Sequence, residues 1–378
     1  MKIRKGLAVA AGSIAMVLAL GACAGEGAGS GSSNDDSPAE AGNADNADDQ
    51  DFSVGIAMPT QSMQRWLDDG RYMKEGFEEL GYNVDLQYAE DDIPTQIAQL
   101  ENMITQGVDA LVIATVDGES LTNIAESAAE HDIPIIAYDR LIIGTDAVDY
   151  YATFDNYEVG QIQARYIEEK LDLQNNDGPF NIEIFAGSPD DTPAQFFYKG
   201  AIDLLQPYID DGTLVVQSGQ TDFQQIAILR WDSSEAQARM DNLMTGHYGD
   251  KDLHAVLSPN DSIALGIVAS LESLGFGDAG NPYPLITGQD AEKAAMNSIL
   301  AGKLTMSVFK DTRLLAQTGV DIVDAILNGQ EPEVNDTESY DNGVKVVPAY
   351  LHAPEPVDID NYEEVLIDSG YYTPEDLE

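Results

Sequence analysis

The stretch SVGIAMPTQSMQRWLDDGRYMKEGFEELGYNVDLQYA (residues 53–89) decides the fold. It opens on a short run, SVGIAM (53–58), that is apolar at successive rather than alternating positions. A strand of that kind is covered on both faces, as strands of parallel sheets are. An amphipathic helix pattern follows, with Met73, Phe77 and Leu80 on one face and Gly81-Tyr82 as its stop. A second β-rich run, VDLQYA (84–89), completes a strand–helix–strand unit.

The unit repeats outward. A helix that aligns Ile97, Leu100 and Ile104 ends at Gly107 and leads to ALVIAT (110–115). A further helix (121–129), PIIAYD (134–139) and YYATF (150–154) follow. The alternation then starts again with NIEIFAG (181–187), TLVVQSG (213–219), HAVLSP (254–259), PLITGQD (284–290) and TMSVFKD (305–311), with helices between them. This is a repeat of architecture, not of sequence. Roughly 325 residues follow from Phe52 onward, too many for one core and enough for two domains. The expected fold class is α/β: two Rossmann-like lobes, each a doubly wound parallel sheet, joined by a multi-strand hinge with a cleft between them. A late helix (314–327) and a strand at 344–347 are expected to cross back to the first lobe. The lobes then comprise residues 52–155 plus 311–346 and residues 156–310 plus 347–378.

Ahead of this body lie two segments of different character. Residues 1–22 hold Lys2, Arg4 and Lys5, then an apolar run from Leu7 to Leu20, then Gly21-Ala22. A basic start, a short apolar stretch and small residues at the cut describe an export signal, too short for a transmembrane helix. Cys23, the only cysteine of the 378 residues, follows at once and resembles the acylated cysteine of a bacterial lipobox. Acyl chains there, at roughly 0.8 kcal/mol per buried methylene, would hold the protein on a membrane. Residues 24–51 carry eight acidic residues and neither a cation nor an aromatic, so they read as a disordered tether. The expected location is extracytoplasmic, with the lipid anchor as the only membrane contact.

The formal charge is −49, and removing residues 1–22, which hold three cations and no acid, makes it −52. Nucleic acid and anionic lipid surfaces demand a basic footprint and are poor partners for such a chain. One cysteine allows no disulfide within the chain. His131, His247, His254 and His352 lack metal-ligand spacing, and no GxxxxGK[ST] phosphate loop occurs. No cofactor and no metal are expected.

Open parallel sheets bind ligands beyond the carboxyl ends of their strands. Those ends carry Gln61, Arg65 and Trp66 after the first strand, Asp139-Arg140 after the fourth and Asp155-Asn156 after the fifth. In the second lobe they carry Asp190-Asp191, Asn260-Asp261, Gln289-Asp290 and Lys310. Each of these has a bland reading as well, a helix cap for Asn260 or Asp155 and a self-paired surface ion pair for Asp139-Arg140. Taken together, guanidinium, carboxylate and amide groups in both lobes suit a ligand covered in hydroxyls, which both donate and accept. Trp66 and Trp231, the only tryptophans, are available to stack on a sugar ring.

The runs IAMPTQSMQRWLDDG (56–70), LENMITQGVDALVIA (100–114), IPIIAYDRLI (133–142), FAGSPDD (185–191), VLSPND (256–261), TGQDAE (287–292), VFKDT (308–312) and NGVKVVPAYL (342–351) resemble those of the type I periplasmic sugar-binding proteins. The branch they are most similar to contains the xylose-binding and multiple-sugar-binding proteins, and the resemblance spans the chain from Phe52 onward. It implies a pair of lobes that close on a monosaccharide, act without catalysis and as a monomer, and deliver the sugar to the permease of an ABC transporter. It places Arg65, Trp66, Asp139, Arg140, Trp231, Asn260, Asp290 and Lys310 on the sugar. Gln61, Asp69, Asp155, Asp191 and Phe197 are further ligand-binding candidates, with Asp155 behind the contacting groups. Gln61 departs from the family in standing where relatives can carry lysine, and Thr192-Pro193 replaces an amide pair.

Two rival readings accompany this one. A receptor that hands its sugar-bound state to a sensor kinase or chemoreceptor has the same sequence signature. A sugar-cleaving enzyme would use Asp139 and Asp290 as paired carboxylates. Nearby Arg and Lys would keep both ionised and unable to act as an acid.

Overall fold

The computed structural model describes residues 52–377. The proposed signal peptide, Cys23 and the acidic tether lie outside the described residues. β1 (Ser53–Met58), β2 (Asn83–Tyr88), β3 (Ala110–Ile113), β4 (Ile135–Tyr138) and β5 (Tyr150–Phe154) form a first sheet. β6 (Phe180–Ile184), β7 (Leu214–Val216), β8 (Ala255–Leu257) and β9 (Leu285–Ile286) form a second. β10 (Met306–Phe309), β11 (Ala349–His352) and β12 (Glu355–Asp358) complete the chain.

The first sheet is wholly parallel in the order β11-β5-β4-β3-β1-β2. Its apolar runs are explained by burial on both faces. Ile56, Val112 and Tyr138 pack into one core, while Ala57, Leu111, Ile113 and Ala137 pack into another on the opposite face. Full burial of each large apolar side chain contributes about 1.5–3 kcal/mol. The second sheet is parallel in the order β7-β6-β8-β9. The Val308 N–H donates to Gly288 O and the Asp290 N–H to Val308 O, so β10 continues this sheet beside the segment after β9. Both lobes thus share one arrangement: the second strand at the edge, then the first, third, fourth and fifth.

The helix Gln64–Glu79 buries Trp66, Met73 and Phe77 against the first sheet. Leu80, expected on that face, is exposed because the helix has ended there and Gly81 turns away at φ 85°. In the second lobe the helices Asn156–Leu171 and Thr192–Asp210 touch through bare backbone. A Cβ at Gly160 would lie 2.0 Å from Phe197 O, and one at Gly200 would lie 2.1 Å from Tyr157 O.

The return of the chain differs from the sequence expectation. Residues 344–347 are not a strand. Asn342 Oδ1 accepts from the N–H groups of Val344 and Lys345, and Gly343 sits at φ 86°, so the Asp-Asn-Gly turn overrides the β-rich Val-Lys-Val-Val that follows. The strand forms after Pro348 as β11, and it pairs with β5 of the first sheet. The expected crossing at 346/347 is therefore corrected to the link between β11 and β12, which pairs antiparallel with β10. The three crossings are Phe154–Asn156, Phe309–Thr312 and His352–Glu355.

Candidate functional site

The carboxyl ends of the two sheets face each other, and the side chains they carry line one narrow cavity. The first lobe supplies Met63, Arg65, Trp66, Asp139 and Arg140. The second supplies Asp191, Pro193, Phe197, Trp231, Asn260, Gln289, Asp290 and Lys310, and all thirteen residues are buried.

Local backbone explains how several of them are aimed. Arg65 and Trp66 occupy the first turn of the helix after β1. Asp139 and Asp290 follow β4 and β9, equivalent strands of the two lobes, and both have positive φ, 57° and 97°. Asp tolerates that region better than most residues, and such strain collects at ligand sites. The Arg140 N–H closes a tight three-residue turn around Asp139 by donating to Tyr138 O. Trp231 also has positive φ, 58°, which is costly for a bulky side chain. Its indole lies on Gly187, where a Cβ would come within 2.0–2.5 Å of three ring carbons. Asn260 has two duties, since it lines the cavity and its Oδ1 caps the helix Asp261–Ser273 by accepting from the Ile263 N–H.

Charge runs through the cavity wall as a connected set. Arg65 donates from Nη2 to Asp139 Oδ1 at 2.8 Å and from Nη1 to Asp290 Oδ1 at 3.3 Å. Lys310 Nζ lies 3.1 Å from Asp290 Oδ1 and 3.6 Å from Asp139 Oδ1. Behind them Asp69 accepts from Arg65 Nε and Nη2 and from the Tyr138 hydroxyl, so Asp69 holds Arg65 rather than lining the cavity. On the other side Arg140 Nε stands 3.1 Å from Asp191 Oδ2, which accepts from Trp231 Nε1. The Arg140 side chain crosses one face of the Trp66 indole at 5.0 Å, and that of Arg65 lies 4.3 Å from its centre.

These surroundings split the carboxylates. Burial favours the neutral form of Asp139, but Arg65, Lys310 and Arg140 outweigh it and hold the group down at about 2. Burial dominates at Asp191 and lifts it to about 6 despite Arg140, and it does the same at Asp69 despite Arg65 and Tyr138. With Asp139 ionised and with Arg65 and Lys310 both bridging it to Asp290, the pair cannot act as the acid and base of a glycosidase.

The elevation of Asp191 carries a sign. Its folded value lies above the ordinary Asp value near 3.9, so the folded protein holds that proton more tightly than the unfolded chain does. The resulting stability is present below about 4 and is lost as pH rises through about 6. The melting-temperature difference between wild type and Asp191→Asn should therefore move in favour of the wild type by several degrees between pH 8 and pH 4.5. A difference that stays constant in calorimetric scans would mean that Asp191 does not titrate in this window.

Four buried atoms on the cavity wall find no hydrogen-bond partner among the described residues: Trp66 Nε1, Asp191 Oδ1, Gln289 Oε1 and Arg140 Nε, whose ion-paired approach to Asp191 Oδ2 lacks hydrogen-bond alignment. Two are donors and two are acceptors, and each costs about 1–3 kcal/mol if left unsatisfied. A neutral ligand whose groups both donate and accept would satisfy all four.

Of the candidates named from sequence, the structure brings together Arg65, Trp66, Asp139, Arg140, Asp191, Phe197, Trp231, Asn260, Asp290 and Lys310. Gln61 lies outside, its amide donating to Glu90, and Asp155 is spent as a helix cap that accepts from the Glu158 N–H. Met63 and Pro193 line the cavity without having been selected, because Met and Pro carry no chemical signature, while Gln289, nominated by the strand-end rule but not carried into the ligand-binding set, lines it as well. Among the described residues no group of three or more His, Cys, Asp or Glu side chains could hold a metal ion.

A sequence profile described as a periplasmic binding protein domain matches residues 54–331. The chain is 54% identical over 321 residues to the multiple sugar-binding periplasmic protein SbpA of Azospirillum brasilense, spanning 85% of this chain and 90% of that protein. It is 52% identical over 325 residues to the multiple sugar-binding periplasmic receptor ChvE of Rhizobium radiobacter, spanning 86% and 92%. Its fold superposes with a TM-score of 0.84 on a solute-binding protein of an ABC transporter from Clostridium phytofermentans solved with bound β-D-glucose. That protein is 50% identical, and the match covers 86% of this chain and all of the other.

Proposed function

The chain belongs to the type I periplasmic binding proteins, and from that premise we propose that it captures a neutral monosaccharide outside the cytoplasm and passes it to the permease of an ABC transporter. The observation that carries the sugar reading is the set of four unsatisfied polar atoms in one buried cavity, balanced between donors and acceptors. A monosaccharide hydroxyl can meet either kind, and its apolar ring face can lie against Trp231 and Phe197.

Capture works by closure. The lobes part by bending at the three crossings and close again over the ring, which removes water from the hydroxyls. Each charge-assisted hydrogen bond then contributes about 1.5–3 kcal/mol. A sugar that lacks one hydroxyl loses more than that hydroxyl supplied, because a buried carboxylate or guanidinium is left unpaired. The closed form is the state that the permease recognises. Acylated Cys23 would keep the body on the membrane.

A thermal-shift screen of neutral aldopentoses and aldohexoses tests this reading. At a hundredfold excess over Kd a ligand adds about 2.7 kcal/mol. For a folded body of this size each kcal/mol moves the melting temperature by roughly 2–4 °C. At least one sugar should therefore raise it by several degrees. A flat response to the whole panel at millimolar concentration would rule the reading out.

A further inference from the structure

Outside the cavity the lobes meet again, at a polar contact whose two halves are each built within one lobe. Arg230 stands beside Trp231 in the turn Leu229–Trp231, half-buried and off the cavity wall. Its Nη1 reaches across the lobes and donates to Val116 O, in the segment after β3, at 2.7 Å. The donor is held by its own lobe. Asp190 Oδ2 lies 2.6 Å from the same Nη1, and the Arg230 N–H donates to Ser188 Oγ at 2.8 Å. Ser188 Oγ in turn donates to Asp190 Oδ1. The acceptor is held by the other lobe. Buried Gln96 accepts the Val116 N–H on Oε1 at 2.8 Å and donates from Nε2 to Ala114 O at 2.9 Å, so the strand end is gripped on both sides of Thr115. A second contact runs beside the first, from the Gly118 N–H to Asp190 O at 3.2 Å.

We propose that Arg230 latches the closed lobes: aimed by Asp190, its guanidinium catches the Val116 carbonyl only when the lobes shut, and so sets how long a bound sugar is held without affecting which sugar is held. The inference rests on the reading of sugar capture above. Bending at the three crossings leaves each half of the latch intact inside its own lobe. It parts only Arg230 from Val116 and Gly118 from Asp190. The guanidinium keeps Asp190 as its partner in the open form, while the Val116 carbonyl returns to water, so letting go strands no charge. Arg230, Asp190 and Val116 do not line the cavity, so the latch meets no ring hydroxyl and cannot tell one sugar from another. Arg230 is thus a positioning residue, acting through the placement of the lobes.

The test compares wild type, Arg230→Met, Asp190→Asn and the double variant at pH 7.5, Met keeping the stem without a donor. D-Glucose and D-xylose are used first, and otherwise the two best binders of the panel above. Release rates come from stopped-flow tryptophan fluorescence, Kd from calorimetry and melting temperatures from sugar-free samples. Arg230→Met should speed release of both sugars by one common factor of about 5- to 50-fold, the scale of a hydrogen bond from a charged donor that is partly open to water. The ratio of the two affinities should not change. Asp190→Asn should speed release by a smaller common factor and add nothing once Arg230 is gone. Because the latch is undone in the open form, no variant should move the sugar-free melting temperature by more than about 4 °C, the scale of one exposed ion pair. Unchanged release from Arg230→Met, unequal factors for the two sugars, or independent factors at positions 190 and 230 would each refute the latch. A larger fall in the sugar-free melting temperature would refute it too, by making Arg230 a brace of the second lobe. A wild type that binds no sugar of the panel refutes the capture reading and the latch with it, whereas binding that is indifferent to position 230 refutes the latch alone.

Discussion

Asp290→Asn is expected to weaken sugar binding by about 100-fold while the melting temperature of the free protein moves by only a few degrees. Asp290 sits where three demands meet: it accepts from Arg65 across the lobes, pairs with Lys310 and lines the cavity. Removing its charge weakens each charge-assisted bond it accepts, at about 1.5–3 kcal/mol for a bond to a charged group, and every 1.4 kcal/mol is tenfold. The cations it leaves keep other partners, because Arg65 retains Asp69 and Asp139, and Lys310 retains Asp139. That is why the fold should survive. Asn is the right replacement because residue 290 has φ 97°, and Asn, like Asp, is enriched at positive φ over other non-glycine residues. Alanine would mix lost binding with backbone strain. Calorimetric titration with the sugar that wild type binds best decides the matter, and an affinity within threefold of wild type would take Asp290 off the ligand.

The largest loss of stability is expected from Gly160→Val. A Cβ at residue 160 would lie 2.0 Å from Phe197 O and 2.7 Å from Ala201 N, both backbone atoms that cannot swing aside. The facing Gly200 is pinned in the same way against Tyr157 O, so the two helices must separate. Parting them opens gaps around Val159 and Phe197, which lie in one core, and around Ala164 and Ala201, which lie in another. Overpacking costs about 1–3 kcal/mol even where side chains can adjust, and losses beyond 4 are diagnostic of a core that cannot. A fall of roughly 10 °C or more in melting temperature is expected, about 2–4 °C for each kcal/mol. Sugar binding should fall with it, because the helix Thr192–Asp210 carries Pro193 and Phe197 into the cavity. Gly246→Ala is the control: it is helical, has nothing within 4 Å of the added carbon, and should leave stability unchanged or raise it by up to about 1 kcal/mol. Equal melting temperatures for Gly160→Val and the control would overturn the packing argument.

Much of this architecture is legible in the sequence because a strand buried on both faces must be apolar throughout. Runs such as ALVI and IIAY declare themselves for that reason, and the rule that ligands gather beyond strand ends then nominates most of the cavity wall. The errors have the same physical root: periodicity sees apolar pattern and not hydrogen-bond chemistry. Val344–Val347 looks like a strand until the Asp-Asn-Gly turn before it takes up its N–H groups. Asp155 and Asn260 look alike as polar residues after strands. Only the fold shows that the first is spent as a cap while the second caps and lines the cavity as well.

The indole of Trp231 rests on bare main chain at residue 187, and that berth is made of missing atoms. Evolution therefore has no foothold there, since every available side chain would evict the ring. Drift in cargo preference has to come through the facing wall, where Met63 offers a flexible thioether that neighbouring shapes can replace. A library randomised at positions 63 and 187 and selected for capture of new cargoes should return diversity at the first and glycine alone at the second.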